Sequence, residues 1–258
     1  MPRYGMVIDL NKCGGCYACS VICKVENGTR PRVSWNRVDT VEWGEYPQAR
    51  LAFIPTQCMH CQDPPCVRVC PTGASTKHAN GIVTVDYERC IGCRYCQAAC
   101  PYGARQFNGK DETAFPGHLA PYEEQGYAKH RLGTVEKCTF CLHRVEAGQV
   151  PACVAICTGK ARVFGDLDDP ASDIKKYIQS HKAVAINGTS FYYVPPQDMD
   201  AKFLPAQART PSAVSWWMNI VRPGGKVVMG AAAAAVVASL IIGAANRGGG
   251  EHHDQPQG

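Results

Sequence analysis

Sixteen cysteines in a chain of 258 residues fall into four quartets, and the quartets use every one of them. Cys13, Cys16, Cys19 and Cys23 are spaced C-x2-C-x2-C-x3-C, and Cys58, Cys61, Cys66 and Cys70 are spaced C-x2-C-x4-C-x3-C-P. Cys90, Cys93, Cys96 and Cys100 repeat the first spacing with a following proline, and Cys138, Cys141, Cys153 and Cys157 are spaced C-x2-C-x11-C-x3-C. Thiolates at such intervals are metal ligands. Eight disulfides would fit the count, but disulfide frameworks do not repeat one tight spacing. Zinc sites use two C-x2-C pairs across a longer loop rather than triplets at two-residue intervals, so only the last quartet taken alone resembles one. Iron–sulfur ligation accounts for all four.

The run C-x2-C-x2-C-x3-C-P resembles the bacterial ferredoxin motif for a 4Fe-4S cluster, whose fourth cysteine ligates the other cluster of a pair. Four 4Fe-4S clusters, arranged in close pairs, are therefore expected. By that rule Cys58, Cys61 and Cys66 take Cys100, while Cys90, Cys93 and Cys96 take Cys70. Cluster ligation contributes folding energy, so the chain needs only a thin apolar core.

The elements that would position these loops are short. Cys70-Pro71-Thr72-Gly73-Ala74 is echoed by Cys100-Pro101-Tyr102-Gly103-Ala104, an internal repeat. Gly81 to Asp86 alternates like a strand before Cys90, Met6 to Leu10 leads into Cys13, and Arg162 to Phe164 follows the last quartet. The expected fold is α+β: two ferredoxin-like dicluster units of short hairpins and helices, occupying residues 1–200. The second and third motifs fill about 50–108, and the first and fourth fill 1–49 and 133–170. Residues 109–131 form a polar insertion without metal-ligand spacing, suited to partner recognition. His118, His130 and His143 are scattered and expected in surface or packing roles.

A linker and interfacial segment, 201–226, contains Trp216 and Trp217 and leads to nineteen uncharged residues at 227–245. Nineteen residues at about 1.5 Å each span roughly 28 Å, close to the hydrocarbon thickness of a bilayer. The span holds eight alanines and only seven Val, Leu or Ile residues. Those seven supply about −2 to −4 kcal/mol of insertion free energy. Gly230 with Ala234 and Ser239 with Gly243 place small residues four apart, as in helices that pack closely in lipid. One transmembrane helix docked on a partner's helices is expected, followed by a polar tail at 246–258. The positive charge before the span favours a cytoplasmic cluster domain. The N-terminus shows neither an apolar leader core nor twin arginines. A chain that stays cytoplasmic and one exported folded with a signal-bearing partner both fit that reading. A formal net charge of +5 gives no case for nucleic-acid binding.

Taken together, these segments resemble the iron–sulfur subunit of the dimethyl sulfoxide reductase family of molybdopterin oxidoreductases. The resemblance covers roughly residues 4–165. It rests on Ile8-Asp9-Leu10-Asn11-Lys12-Cys13, Cys58-Met59-His60-Cys61-Gln62-Asp63-Pro64-Pro65-Cys66, Cys90-Ile91-Gly92-Cys93-Arg94-Tyr95-Cys96 and Lys137-Cys138-Thr139-Phe140-Cys141 with Pro151-Ala152-Cys153. The tail is similar to the membrane-anchored β-subunits of formate dehydrogenases and hydrogenases. By elimination and by this resemblance, Cys13, Cys16 and Cys19 take Cys157, and Cys138, Cys141 and Cys153 take Cys23. The resemblance implies a non-catalytic electron-transfer subunit with no small-molecule substrate of its own. Its partners would be a molybdopterin-binding catalytic subunit and a multi-helix, quinone-binding membrane subunit, with a periplasmic cluster domain as the family precedent. Some relatives replace a cysteine of the third motif and bind a 3Fe-4S cluster; Cys93 is present here. A polyferredoxin serving a hydrogenase is the alternative, and a redox sensor a more distant one, since no effector module accompanies the clusters. Lys12, Lys24, Arg94 and Lys137 stand beside ligands and are candidates for raising cluster potentials.

Overall fold

A computed structural model describes residues 1–115, 117–186 and 188–205. The expected span at 227–245, the polar tail and most of the linker lie outside the described residues. No helix among the described residues is long and apolar enough to cross a membrane.

The chain opens with β1 (Tyr4–Asp9), and α1 (Ala18–Asn27) follows Cys13 and Cys16 and contains Cys19 and Cys23. A long hairpin, β2 (Asn36–Trp43) and β3 (Arg50–Gln57), pairs in full register from Asn36 opposite Gln57 to Trp43 opposite Arg50. Two smaller units come next. The first has α2 (Pro65–Arg68), β4 (Ser75–Lys77) and β5 (Val83–Val85); the second has α3 (Tyr95–Ala98) and β6 (Gln106–Asn108). After α4 (Pro121–Tyr127) come β7 (Thr134–Glu136), α5 (Leu142–Glu146), α6 (Ala152–Ala155) and β8 (Arg162–Asp166). The last elements are α7 (Asp173–Ser180), β9 (Val184–Ala185), β10 (Phe191–Val194) and a single 3-10 turn at Ala201–Phe203.

The main sheet has the order β8-β1-β10-β9, with β1 parallel to β10 and antiparallel to β8. β1 is buried on both faces, which explains its nearly continuous apolar run. Met6 and Ile8 point into the core that houses the cysteines. Val7 points the other way, onto Leu167 and Ile174, so α7 seals the far face. β4 pairs with β5 and β6 with β7 as three-residue hairpins.

The expected strands are all present, close to the anticipated bounds. The sequence reading did not anticipate the β2–β3 hairpin, α4, α7, or the strands β10 and β9 that extend the sheet beside β1. The insertion at 109–131 is also better organised than a polar loop. Pro121 occupies the first turn of α4, where its missing N–H costs nothing. The buried Glu123 carboxylate accepts the amides of Ala114 (2.7 Å) and Ala120 (2.9 Å) and the Tyr127 hydroxyl (2.7 Å).

Candidate metal centres

Each C-x2-C loop turns at the residue before its second cysteine, and there the backbone is left-handed in all four. The φ values are +66° at Gly15, +44° at His60, +67° at Gly92 and +56° at Phe140. Successive amides in such a turn point inward and form an anion-binding concavity. In the first and third motifs this residue is glycine. A Cβ on Gly92 would lie 2.0 Å from the Gly133 carbonyl oxygen, and one on Gly15 would lie 2.5 Å from the Phe53 ring. In the second and fourth motifs a bulky ring takes the strained position. His60 and Phe140 are both buried, and their rings stack on each other at 4.0 Å.

The third and fourth cysteines of each motif are four residues apart, across a helical segment. Cys19 and Cys23 lie within α1, whereas Cys66, Cys96 and Cys153 lie in the one-turn helices α2, α3 and α6, with Cys70, Cys100 and Cys157 just beyond. That step swings the fourth sulfur away from its own loop. Cys157 joins Cys13, Cys16 and Cys19 around a cavity of about 180 Å³. Cys70 lines a second cavity with Cys90, Cys93 and Cys96. Cys100 lies beside Cys58, Cys61 and Cys66, adding to the burial that pushes the Cys61 thiol up. Cys23 is likewise pushed well up, by burial first and then by Cys138, Cys153 and Cys141.

The quartets follow one another in a line. Cys153, pushed up to about 11 by burial, lies near Cys19, which links the first set to the second. Cys138 lies near Cys58, and Cys96 near Cys66, which link the second set to the third and the third to the fourth. Exposure is graded along the line. Cys16 and Cys93, in the two end quartets, are exposed, while in the inner quartets Cys23, Cys138, Cys141, Cys153, Cys58, Cys61 and Cys66 are buried and Cys100 is half-buried.

This geometry suits polynuclear iron–sulfur groups. The donors are all thiols, none of them in a disulfide. Among the described residues no three His, Cys, Asp or Glu side chains converge as a lone metal ion would require. At the first quartet the 180 Å³ cavity is far larger than the 10–15 Å³ or so that admits one water, whereas the cavity at Cys70, Cys90, Cys93 and Cys96 is closed down to about 10 Å³. Donors already point at several sulfurs: the Ala161 amide at Cys157 (3.2 Å), the Phe140 amide at Cys138 (3.4 Å) and Asn27 Nδ2 at Cys23 (3.6 Å). Burial raises Cys70, but the Ser75 amide and the Thr72 hydroxyl and amide outweigh it and hold the thiol below its usual value.

Comparison with known proteins agrees with the geometry. Residues 49–118 and 113–167 match a family described as a 4Fe-4S dicluster domain, and residues 6–74 match a second family of the same description. A candidate dimethyl sulfoxide reductase iron–sulfur subunit of Halobacterium salinarum is 45% identical, covering 75% of this chain and 79% of that one. The chain belongs to the iron–sulfur subunits of dimethyl sulfoxide reductase-family complexes. The iron–sulfur subunit of an arsenate respiratory reductase of a Shewanella species is 40% identical, over 71% of this chain and 90% of its own. A subunit of the tetrathionate reductase of Salmonella typhimurium is 41% identical, over 73% and 70% respectively. As a member of this family the chain transfers electrons rather than catalysing a reaction, and its sixteen cysteines in dicluster domains provide for four 4Fe-4S clusters.

The charged residues flagged beside the ligands have different fates in this iron–sulfur subunit. Lys12 is exposed and donates to the Tyr177 hydroxyl (2.8 Å). Lys24 turns away to the carbonyls of Arg30 (2.6 Å) and Val33 (2.8 Å). Arg94 lies over the Phe107 ring at 3.7 Å. Only Lys137 is buried, donating to the carbonyls of Val83 and Cys138 (2.6 Å to the latter). Sequence reasoning missed Arg105 and Arg162, both buried beside thiols. A signal for them existed: each follows an alanine five residues after the fourth cysteine of its motif. The histidines have packing or surface roles, His130 being buried and His118 and His143 exposed.

Proposed function

We propose that the chain is the electron relay of a membrane-bound respiratory oxidoreductase, working between a molybdopterin-binding catalytic subunit and a quinone-binding membrane subunit. In this reading Cys13, Cys16, Cys19 and Cys157 hold one cluster, and Cys138, Cys141, Cys153 and Cys23 the next. Cys58, Cys61, Cys66 and Cys100 hold the third, and Cys90, Cys93, Cys96 and Cys70 the last. When bound, such clusters accept and release single electrons, with potentials set by sulfur hydrogen bonds, local charge and exposure. The polypeptide fixes their order, excludes water from the inner pair and leaves the outer pair accessible to partners.

The observation that carries this reading is the gradient of exposure along the line of quartets, open at Cys16 and Cys93 and closed between. A relay must exchange electrons at its ends and protect its middle. Exposed apolar side chains lie near both openings, Tyr17 and Val21 at one and Ile91 and Tyr95 at the other, as two docking subunits would need. Residues 227–245 would provide the membrane anchor.

The experiment is to purify the Cys93→Ala variant anaerobically with its partners and measure iron, sulfide and the EPR spectrum. Loss or conversion of one cluster is expected, with the other three retained. Unchanged iron content and spectrum would sink the ligand assignment. Co-purification of neither a molybdopterin-binding nor a multi-helix membrane subunit would sink the proposed partners.

A further inference from the structure

Three cationic side chains are almost wholly removed from solvent: Arg105 (1% exposed), Lys137 (1%) and Arg162 (4%). A buried charge left uncompensated costs several kcal/mol. Yet among the described residues none of the three pairs with a carboxylate. Arg105 donates to Ser75 Oγ (2.7 Å) and to Cys66 Sγ (2.9 Å). Arg162 donates to Asn36 Oδ1 (3.2 Å), Gln57 Oε1 (3.3 Å) and Cys153 Sγ (3.6 Å). Lys137 donates to the carbonyls of Val83 and Cys138, and the anionic partners available to the two arginines are the thiolates themselves.

Their places are regular. Arg162 faces Cys153 of one quartet and Cys19 of the next. Arg105 bonds Cys66 of one quartet and reaches Cys96 of its neighbour, opposing the burial that raises that thiol. Lys137 sits between Cys138 and His60, at the junction of the two dicluster halves. Three gaps separate four quartets, and each gap contains one cation.

We propose that Arg162, Lys137 and Arg105 are potential-setting residues, each raising the reduction potentials of the two clusters that flank its gap. The inference rests on the ligand sets proposed above. Four thiolates around an iron–sulfur core leave a net anion, and reduction makes it more negative. A fixed cation nearby therefore stabilises the reduced form more than the oxidised one. Because Arg162 and Arg105 each face sulfurs of two quartets, removal of either should move two potentials together. The fork of guanidinium donors suits Arg105 and Arg162 to bond one sulfur while facing another.

The test is an anaerobic redox titration followed by EPR on the purified complex, comparing wild type with Arg105→Gln and Arg162→Gln. Arg105→Gln should lower the potentials of the clusters held by the Cys58 and Cys90 sets and leave the other two in place. Arg162→Gln should do the converse, lowering those of the Cys13 and Cys138 sets. Unchanged potentials with full iron content, or an equal shift of all four, would overturn the proposal while leaving the ligand sets intact. A wild-type complex lacking four clusters would instead refute the ligand sets. Should the variants fail to load iron, wild type labelled with 15N in the arginine guanidino groups decides by pulsed EPR. Nitrogen coupled to the reduced clusters supports the proposal, and its absence refutes it.

Discussion

A methyl group added at three glycines of the cluster loops should have three different effects, because the loops constrain the backbone differently at each. Gly14 has an ordinary φ and nothing within 4 Å of a new Cβ, so Gly14→Ala should be silent. Gly15 has φ +66°, and its Cβ would lie 2.5 Å from Phe53 Cγ, so the whole ring must shift. Gly15→Ala should therefore cost at least about 1–2 kcal/mol, the left-handed penalty for an L-residue, to which the ring shift adds. Gly92 has a similar φ of +67°, but its Cβ would meet the Gly133 backbone oxygen at 2.0 Å, and that oxygen cannot rotate away. Gly92→Ala therefore carries the same penalty plus a forced displacement of one loop. Each kcal/mol shifts the melting midpoint of a domain of this size by about 2–4 °C. Gly15→Ala should accordingly lower the midpoint by at least roughly 2–8 °C, and Gly92→Ala, which must displace backbone, by more. The assay is thermal unfolding of the anaerobic, cluster-loaded protein at one scan rate, with iron and sulfide per chain. Gly92→Ala should also deplete the cluster held by Cys70, Cys90, Cys93 and Cys96. If Gly92→Ala retained full iron and an unchanged midpoint, or if Gly14→Ala matched its damage, the reasoning from loop geometry would fail.

Phe140→Ala removes a ring that stacks on His60 and Phe191 and meets Phe164 edge-on, a truncation that costs about 3–5 kcal/mol. A drop of roughly 6–20 °C in the same melting assay is expected, and a drop under 2 °C would contradict the packing. The His130 imidazole is raised above its usual value: burial lowers it, but the Glu136 carboxylate 3.1 Å from Nδ1 and the Asn27 carbonyl outweigh that. Its stabilising contribution is complete below a pH of about 6.5 and is lost as pH rises through the folded-state value. Wild type should thus lose more thermal stability between pH 6.5 and 9 than His130→Gln, and parallel profiles would count against the pair. Finally, the anchor proposed at 227–245 should keep the intact protein in membranes through an alkaline carbonate wash, and its release would remove the anchor.

The sequence displayed the chemistry more completely than the architecture around it. Cysteine spacing is a local signal: a C-x2-C loop must bring its thiols together whatever surrounds it, so the motifs could be read one by one. The strands leading into Cys13 and Cys90 were legible for the same reason, since each sits a few residues from its motif. What escaped was non-local. β10 is a strand of the main sheet because Phe191 to Val194 pairs with Met6 to Asp9, a partnership across most of the chain that no periodicity announces. Arg105 and Arg162 escaped because a charged residue in or just before a short strand reads as solvated; their shared spacing after a fourth cysteine marks them, and the fold shows that both are enclosed beside sulfur.

The contrast between the two kinds of C-x2-C loop bears on how a relay is built. At the open ends, the left-handed turn before the second cysteine is made by Gly15 and Gly92, which carry no side chain and leave their loops thin. At the closed centre the same turn is made by His60 and Phe140, although a left-handed L-residue costs about 1–2 kcal/mol. That strain is offset by what the rings do: stacked at 4.0 Å between the two inner quartets, they occupy volume that glycine would leave to water. His60 is fully buried, and burial, together with Lys137 and Arg105, holds its imidazole well below its usual value and therefore neutral. A neutral ring adds no charge to a gap that already contains a lysine. Exclusion of water and placement of charge are thus assigned to different side chains, the rings to the first and the buried cations to the second. This division is why substitutions at His60 and at Lys137 should differ in kind, the former acting on stability and solvent access and the latter on potential.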